Sequence, residues 1–412
     1  MKDCEDLRHA DFIDLRYEPR ETDIICEFYV EPESVNINEA AGGVAAESSI
    51  GTWTELTTEK IYVKKLAARV FSVEGNYVKI AYPIELFEYG NMPNILSSVA
   101  GNVFGLRILK NLRLSNINFP PKLIKSFKGP QFGINGIRQL LKIYDRPFIG
   151  TIIKPKLGLK TVDHARVAYE AWIGGCDMVK DDENLSNQKF NPFKERVIKT
   201  LERKDEAEKE TGERKVYLPN ITAETEEMLK RANYVLDNGG EYVMVDVLTC
   251  GFSSLQTLRE RDLNLVIHGH RAGHAAFTKN PKHGISMCVI SKVTRVTGID
   301  QLHVGTVVGK MFETREEVAE NCEALKMKMG QLKQVLPVAS GGLHPGLVPE
   351  LMNFFGNDFV IQAGGGIHGH KNGTLAGAKA MRQAVDATLK GIDLKEYSKT
   401  HRALEAALHL WK

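Results

Sequence analysis

From about residue 130 to the C-terminal end, short apolar runs rich in β-branched residues alternate with longer stretches whose apolar positions fall at helical spacing. The apolar runs predict strands at 147–155, 178–182, 216–221, 242–247, 265–270, 301–305, 337–341 and 359–365. Between them lie VDHARVAYEAWI, ERVIKTLERKDEAEKE, TEEMLKRANYVLDN, VISKVTRVTG and REEVAENCEALKMKMGQLKQV, each predicting a helix. Eight strand-helix units in succession imply a (β/α)8 TIM barrel with a parallel sheet. The first part of the chain reads differently. It holds DIICEFYVEP, KKLAARVFSVEGNYVKIAYP and an apolar helix-like stretch ending in GNVFG. This predicts a small α+β domain over 1–128 and the barrel over 129–412, with the Gly and Pro of FKGPQFGINGIRQLL marking the junction. The fold class is therefore α/β, an N-terminal α+β domain followed by a barrel.

The length of 412 residues agrees with two domains. With 54 Lys+Arg against 52 Asp+Glu, the charge balance points to neither nucleic acid nor a membrane surface as partner. The six cysteines (Cys4, Cys26, Cys176, Cys250, Cys288, Cys322) form no Cys-x-x-Cys pair, which argues against a structural zinc site or a disulfide scaffold. The charged start MKDCEDLRHADF has no apolar leader region, and no apolar stretch reaches spanning length, so the expectation is a cytoplasmic protein with reduced thiols.

In such a barrel the chemistry gathers at the C-terminal ends of the strands, and polar residues collect there. The first strand ends in Lys154-Pro155-Lys156, two lysines spaced two apart, which on a strand project to the same side. The second ends in Lys180-Asp181-Asp182-Glu183. Standing alone, such a run reads as a solvated helix face. After an apolar strand, its carboxylates instead suit a hard cation such as Mg2+, although a lysine is out of place there unless its charge is altered. The fifth strand gives His268-Gly269-His270-Arg271 with His274 beyond, and the sixth gives His303 and then GTVVGK with Lys310. Histidines at strand ends are most often hydrogen-bonded core residues; three of them beside Arg271 would make a cationic rim. The seventh and eighth strands end in Ser340-Gly341-Gly342 and Gly364-Gly365-Gly366, where glycine runs serve as turns or offer backbone N–H groups to a phosphate. Together with Lys154, Lys156, Arg271 and Lys310, these features point to a bisphosphorylated substrate and a metal ion.

The strings GTIIKPKLGL, GGCDMVKDDEN, HGHRAGHAAFT, LHVGTVVGKM, PVASGGLHPG and IQAGGGIHGH resemble, in order and spacing, the active-site segments of the ribulose-1,5-bisphosphate carboxylase/oxygenase (RuBisCO) large-subunit family. AAGGVAAESSIGTWTEL and AGNVFGLRILKNLRL are similar to the segments contributed by the N-terminal domain of that family, and GTIIKPK, HGHRAGHAAFTKNPKHGISM and the short C-terminus together look most like the archaeal form III type.

The resemblance implies a carboxylase with an oxygenase side reaction, using ribulose bisphosphate, CO2 and O2. It implies a carbamate formed on Lys180 by an activating CO2, with Lys180, Asp182 and Glu183 as ligands of one Mg2+. The implied catalytic residues are Lys154, Lys156, Lys180, His270, Lys310 and Glu47. Arg271, His303 and Ser340 are implied to hold the phosphate nearer C5. Gly341, Gly342, Gly364 and Gly365, with Thr52 and Trp53, would hold the phosphate nearer C1. Glu47 and Asn102 match residues that reach the partner's site, so a homodimer or ring of dimers without a small subunit is expected. The chain departs from the family pattern after Lys310, where Met311-Phe312-Glu313 replaces the usual Glu-Gly and the stretch to Pro337 is short. A RuBisCO-like enolase or isomerase of a related sugar phosphate is the alternative. A sugar-phosphate binding protein is a third reading, and it gives no reason for a lysine among carboxylates.

Overall fold

DIICEFYVEP forms strand β1 (Ile24–Pro32), in which every second side chain from Ile24 to Val30 (Ile24, Cys26, Phe28 and Val30) is buried. β1 pairs antiparallel with β3 (Tyr77–Tyr82) on one side and β4 (Leu109–Asn118) on the other, and β2 (Arg69–Glu74) joins β3. The short strand β10 (Gly284–Ile285) adds in parallel to β4, giving a five-stranded mixed sheet in the order β10-β4-β1-β3-β2. In this computed structural model the described residues are 9–51, 57–309 and 312–411. They divide into two units, one of 1–128, 273–297 and 328–332, the other of 129–272, 298–327 and 333–412.

The second unit is built on eight parallel strands: β5 (Phe148–Ile152), β6 (Met178–Lys180), β7 (Val216–Leu218), β8 (Tyr242–Asp246), β9 (Val266–His270), β11 (Gln301–Gly305), β12 (Leu336–Ser340) and β13 (Val360–Ala363). Seven neighbouring pairs run in the order β7-β6-β5-β13-β12-β11-β9-β8. The ring is closed by the bridge between Asn220 and Met244, where the Met244 N–H donates to the Pro219 carbonyl at 2.9 Å. The fold is thus an N-terminal α+β unit and a (β/α)8 barrel, as the strand-helix alternation predicts.

Two differences from the sequence reading have clear causes. Strand β5 stops at Ile152 and β6 at Lys180, so Lys154, Lys156, Asp182 and Glu183 sit on loops, and strand alternation does not govern where they point. The helix expected over 315–335 ends at Lys326, because Met327 leaves the helical region at φ −54° and ψ 153° and Gly330 follows with φ +52°.

One end of the barrel is plugged. Helix Gly133–Leu141 carries Ile134, Ile137 and Leu141 on one face, and these pack against Phe148, Met178, Val216, Tyr242, Val266, Leu336 and Val360, near the starts of their strands. Each such side chain, fully buried, contributes roughly 1.5–3 kcal/mol. The C-terminal ends of the strands are left for polar groups.

Candidate active site

Lys180 is the last residue of β6 and is completely buried. Its amine donates to the Asp181 carbonyl at 2.8 Å and lies 3.7 Å from Glu183 Oε2. Burial pulls the amine pKa below the ordinary lysine value, against the opposing pull of Glu183, Asp182 and Asp246 and with a further push from Lys154. Lys154 Nζ meets Asp182 Oδ2 at 2.6 Å. Burial works to raise the Asp182 carboxyl, and Lys154 with the hydrogen bonds from Asn184 more than reverses it; burial likewise opposes Lys180 and His270 at Glu183, and both carboxyls end below their usual range. Two amines and two carboxylates therefore share the mouth of β6.

Asp181 faces elsewhere. It is buried and accepts from Arg196 Nε at 3.1 Å, Tyr217 OH at 2.7 Å and the Asn220 N–H at 2.9 Å, with His164 Nε2 at 3.1 Å. This network fixes the backbone that presents Lys180 and Asp182.

His270 ends β9, with Nδ1 at 2.7 Å from Asp246 Oδ1 at the end of β8 and Nε2 at 3.7 Å from Glu183 Oε2. The carboxylate on Nδ1 orients the ring and leaves Nε2 turned towards Glu183. Deeper in the barrel, His268 Nδ1 lies 2.7 Å from Gln301 Oε1, and His268 Nε2 lies 2.9 Å from His303 Nε2. With the Gln301 carbonyl accepting, His268 carries its proton on Nδ1, so its Nε2 accepts and His303 Nε2 donates. Burial, with Lys180 nearby, pushes His268 down to about 3, and burial with His270 and His268 nearby holds His303 well below its usual value. These two rings are neutral, so the cationic rim expected from the histidines is narrower than the sequence reading had it.

Arg271, directly after β9, pairs through Nη2 with Glu313 Oε1 at 2.5 Å, and both side chains are buried. Burial works against its charge and Glu313 supports it. The glycines come close to this site at one point in particular: a Cβ on Gly364 would stand 3.0 Å from Lys154 Cε, so a side chain there would displace the lysine. Gly341 and Gly342 follow Ser340 with φ of +124° and +77°, and Gly365 opens a short helix, Gly365–His368.

The structure thus gathers Lys154, Lys180, Asp182, Glu183 and His270, with His303 joined to them through ring contact with His270 at 4.7 Å between centroids. Lys156 is exposed, on the loop beyond β5. Glu47 ends the helix Ile37–Glu47, and Asn102 opens the turn Asn102–Gly105; both lie in the first unit. Thr52, Trp53 and Lys310 lie outside the described residues. The sequence reading missed Asp246, Gln301 and Glu313 as site residues. Asp246 carried a signal, an acid closing the apolar run YVMVD; Glu313 carried only its place after Lys310.

Among the described residues no group of three or more His, Cys, Asp and Glu side chains is arranged to hold a metal ion. Asp182 and Glu183 offer two carboxylates, and the third donor at the same mouth is Lys180. The set fits a divalent cation when the Lys180 amine is converted to an anionic oxygen donor.

Residues 133–411 match the family described as ribulose bisphosphate carboxylase large chain, catalytic domain, and residues 11–123 match its N-terminal domain. Among curated relatives, the ribulose bisphosphate carboxylase of Methanocaldococcus jannaschii is 49% identical over 98% of this chain and 100% of its own. That of Pyrococcus furiosus is 50% identical over 98% and 97%. Among solved structures, octameric RuBisCO of Pyrococcus horikoshii OT3 has a TM-score of 0.96 and 49% identity, covering 99% of this chain and 98% of that one. The dimeric archaeal RuBisCO of Hyperthermus butylicus has a TM-score of 0.91 and 44% identity, covering 98% and 99%. With both family domains matched in order and archaeal relatives aligned along nearly its whole length, the chain belongs to the ribulose bisphosphate carboxylase large-chain family.

Proposed function

We propose that this chain is a ribulose-1,5-bisphosphate carboxylase, with an oxygenase side reaction, that converts ribulose bisphosphate, CO2 and water to two 3-phosphoglycerates. The observation that carries the mechanism is Lys180, fully buried beside Asp182 and Glu183 with its amine pKa lowered. A neutral amine attacks CO2 through its lone pair, loses a proton and becomes a carbamate, turning a positive group into a negative one. Mg2+ held by Asp182, Glu183 and this carbamate would supply Lewis-acid polarisation of the substrate's C2 carbonyl.

The remaining work falls to the chain's own groups. Lys180, once carbamylated, would take the C3 proton, and Lys154 returns a proton to C2 at the end of the reaction. Lys156, exposed, tunes the charge around Lys154. His270, oriented by Asp246, moves protons during hydration at C3. Lys310 stabilises the new carboxylate. Arg271, His303 and Ser340 hold the phosphate nearer C5; Gly341, Gly342, Gly364 and Gly365, with Thr52 and Trp53, hold the one nearer C1. Glu47 and Asn102 complete the partner subunit's site, which makes a homodimer, alone or in a ring without a small subunit, the working unit. Residues 1–128 and 129–412 serve as its N-terminal and catalytic domains. Among the described residues no helix is long and apolar enough to cross a membrane, and a cytoplasmic enzyme is the reading adopted. No observation favours the RuBisCO-like enolase, and relatives named as carboxylases match from end to end.

The test is anaerobic incorporation of labelled bicarbonate into 3-phosphoglycerate, with and without preincubation in Mg2+ and CO2. Label that depends on preincubation is expected. Proton exchange at C3 without label would move the protein to the enolase reading. A second expectation concerns Asp246: Asp246→Asn removes the carboxylate charge beside Nδ1 and, with its NH2 donating there, holds the ring in the tautomer protonated on Nε2, so kcat should fall by about a hundredfold with little change in KM. Steady-state kinetics decide it, and an unchanged kcat would remove the orienting role.

A further inference from the structure

Arg271 and Glu313 form an ion pair that a resting anion site does not need. The Arg271 side chain is 6% exposed and that of Glu313 3%, and Nη2 holds Glu313 Oε1 at 2.5 Å. The other terminal nitrogen, Nη1, is buried and has no hydrogen-bond partner among the described residues. The guanidinium thus meets a carboxylate as an ion pair through Nη2 and leaves Nη1 without a hydrogen-bond partner among the described residues. The pair is built into the fold: Gly305, with φ +97°, would put a Cβ 3.2 Å from Arg271 Nη2 and 3.3 Å from Glu313 Cδ. A side chain at the end of β11 would press on both partners.

We propose that Glu313 is an internal competitor for the anion site on Arg271, holding the guanidinium until a phosphate monoester displaces it and so setting the affinity for phosphorylated substrate. The inference rests on the reading of Arg271 as a phosphate ligand. A phosphate dianion offers oxygens to Nη1 and Nη2 together, which the single contact with Glu313 does not. A phosphate and Glu313 on one buried guanidinium would bring two anions together, and like charges at contact repel strongly where water is excluded. Binding is therefore an exchange of anions on an already dehydrated cation. A carboxylate that keeps Arg271 paired and charged in the free enzyme lowers apparent affinity by the fraction of molecules in which it is engaged. It also selects by charge, since a ligand with less negative charge at this position displaces it less well.

The experiment compares Glu313→Gln and Arg271→Gln with the unaltered full-length protein, titrating inorganic phosphate calorimetrically and measuring the KM for ribulose bisphosphate. Glu313→Gln keeps the shape and removes the charge, and both constants should fall by about tenfold. Arg271→Gln should raise both. If Arg271→Gln weakens binding and Glu313→Gln leaves it unchanged or weaker, the competitor role is overturned and the phosphate reading of Arg271 stands. If Arg271→Gln changes neither constant, that reading fails and the inference with it. Should Glu313→Gln not yield folded protein, Glu313→Asp withdraws the charge by one methylene, and tighter phosphate binding is again the expected result and unchanged binding the refuting one.

Discussion

Replacing Lys180 with Met is expected to lower carboxylation by on the order of 10³-fold or more while leaving the protein folded, and at neutral pH no less stable than before. The side chain is completely buried, so Met fills nearly the same volume and leaves no cavity. One hydrogen bond is lost, from Nζ to the Asp181 carbonyl at 2.8 Å, worth about 1 kcal/mol. Against this stands the removal of a buried amine. Because burial holds its pKa below that of an exposed lysine, the folded chain releases the proton more readily than the unfolded chain does. Below that lowered pKa the charged amine is a cost to folding, and Met removes it. The chemistry has no such substitute, since a thioether neither adds to CO2 nor presents an anionic oxygen beside Asp182 and Glu183. Turnover after preincubation with Mg2+ and CO2, measured with the melting temperature, separates the two effects. A variant that melts like the unaltered protein and keeps a tenth of its activity would refute the carbamate.

Most of the barrel was legible because its strands are apolar on both faces and short, so each stands out between amphipathic helices. The strand predicted at 301–305 coincides with β11 (Gln301–Gly305). The ends of β5 and β6 were overrun because Lys154 and Asp182 continue the extended-looking text past the last ladder pair, and pairing is a property of neighbours rather than of the strand itself. In the first unit, the stretch that forms β1 was read only as part of a small α+β domain, and β10 is two residues long and exists only because β4 lies beside it. The cluster of Lys180, Asp182 and Glu183 could be seen since Lys180 closes one strand and the two carboxylates follow it in the chain. Its supports could not: Asp246 reaches His270 from the neighbouring strand, and Glu313, beyond β11, reaches Arg271 at the end of the neighbouring β9. The neutrality of His268 and His303 is a further product of burial, which no spacing of residues announces.

The plugged end of the barrel carries a different kind of polar residue, and Asp300→Asn there should cost about 3–5 kcal/mol of stability without lowering kcat in the folded fraction. Asp300 immediately precedes β11 and is fully buried. Its Oδ1 accepts from the Phe132 and Gly133 N–H groups at 2.6 and 3.0 Å, and its Oδ2 accepts from Arg259 Nη2 at 2.6 Å and the Ile267 N–H at 3.0 Å. Each oxygen faces two donors, so whichever one becomes NH2 in asparagine confronts hydrogens, and Arg259 is left as a buried charge without its counterion. Asp177, immediately before β6, repeats the device: it accepts the Ile149 N–H at 2.8 Å and both terminal nitrogens of Arg146 at 2.7 and 2.8 Å. In both cases a carboxylate ahead of one strand ties down the start of the strand beside it, at the end of the barrel away from Lys180. For Asp177, burial raises the carboxyl, and Arg146, Lys215 and Arg382 outweigh it, so the folded pKa lies below the unfolded one. The stability this group contributes is therefore complete above about pH 4, its unfolded value, and is lost as the pH falls through the lower folded value. Asp177→Asn should accordingly flatten the acid limb of the stability curve as well as lower it at neutral pH. Thermal melts of both variants across pH 3–8, with activity measured well below the transition, check the pair. An Asp300→Asn protein that melts with the unaltered one, or keeps its melting temperature and loses turnover, would show that this carboxylate serves the chemistry and not the closure of the barrel.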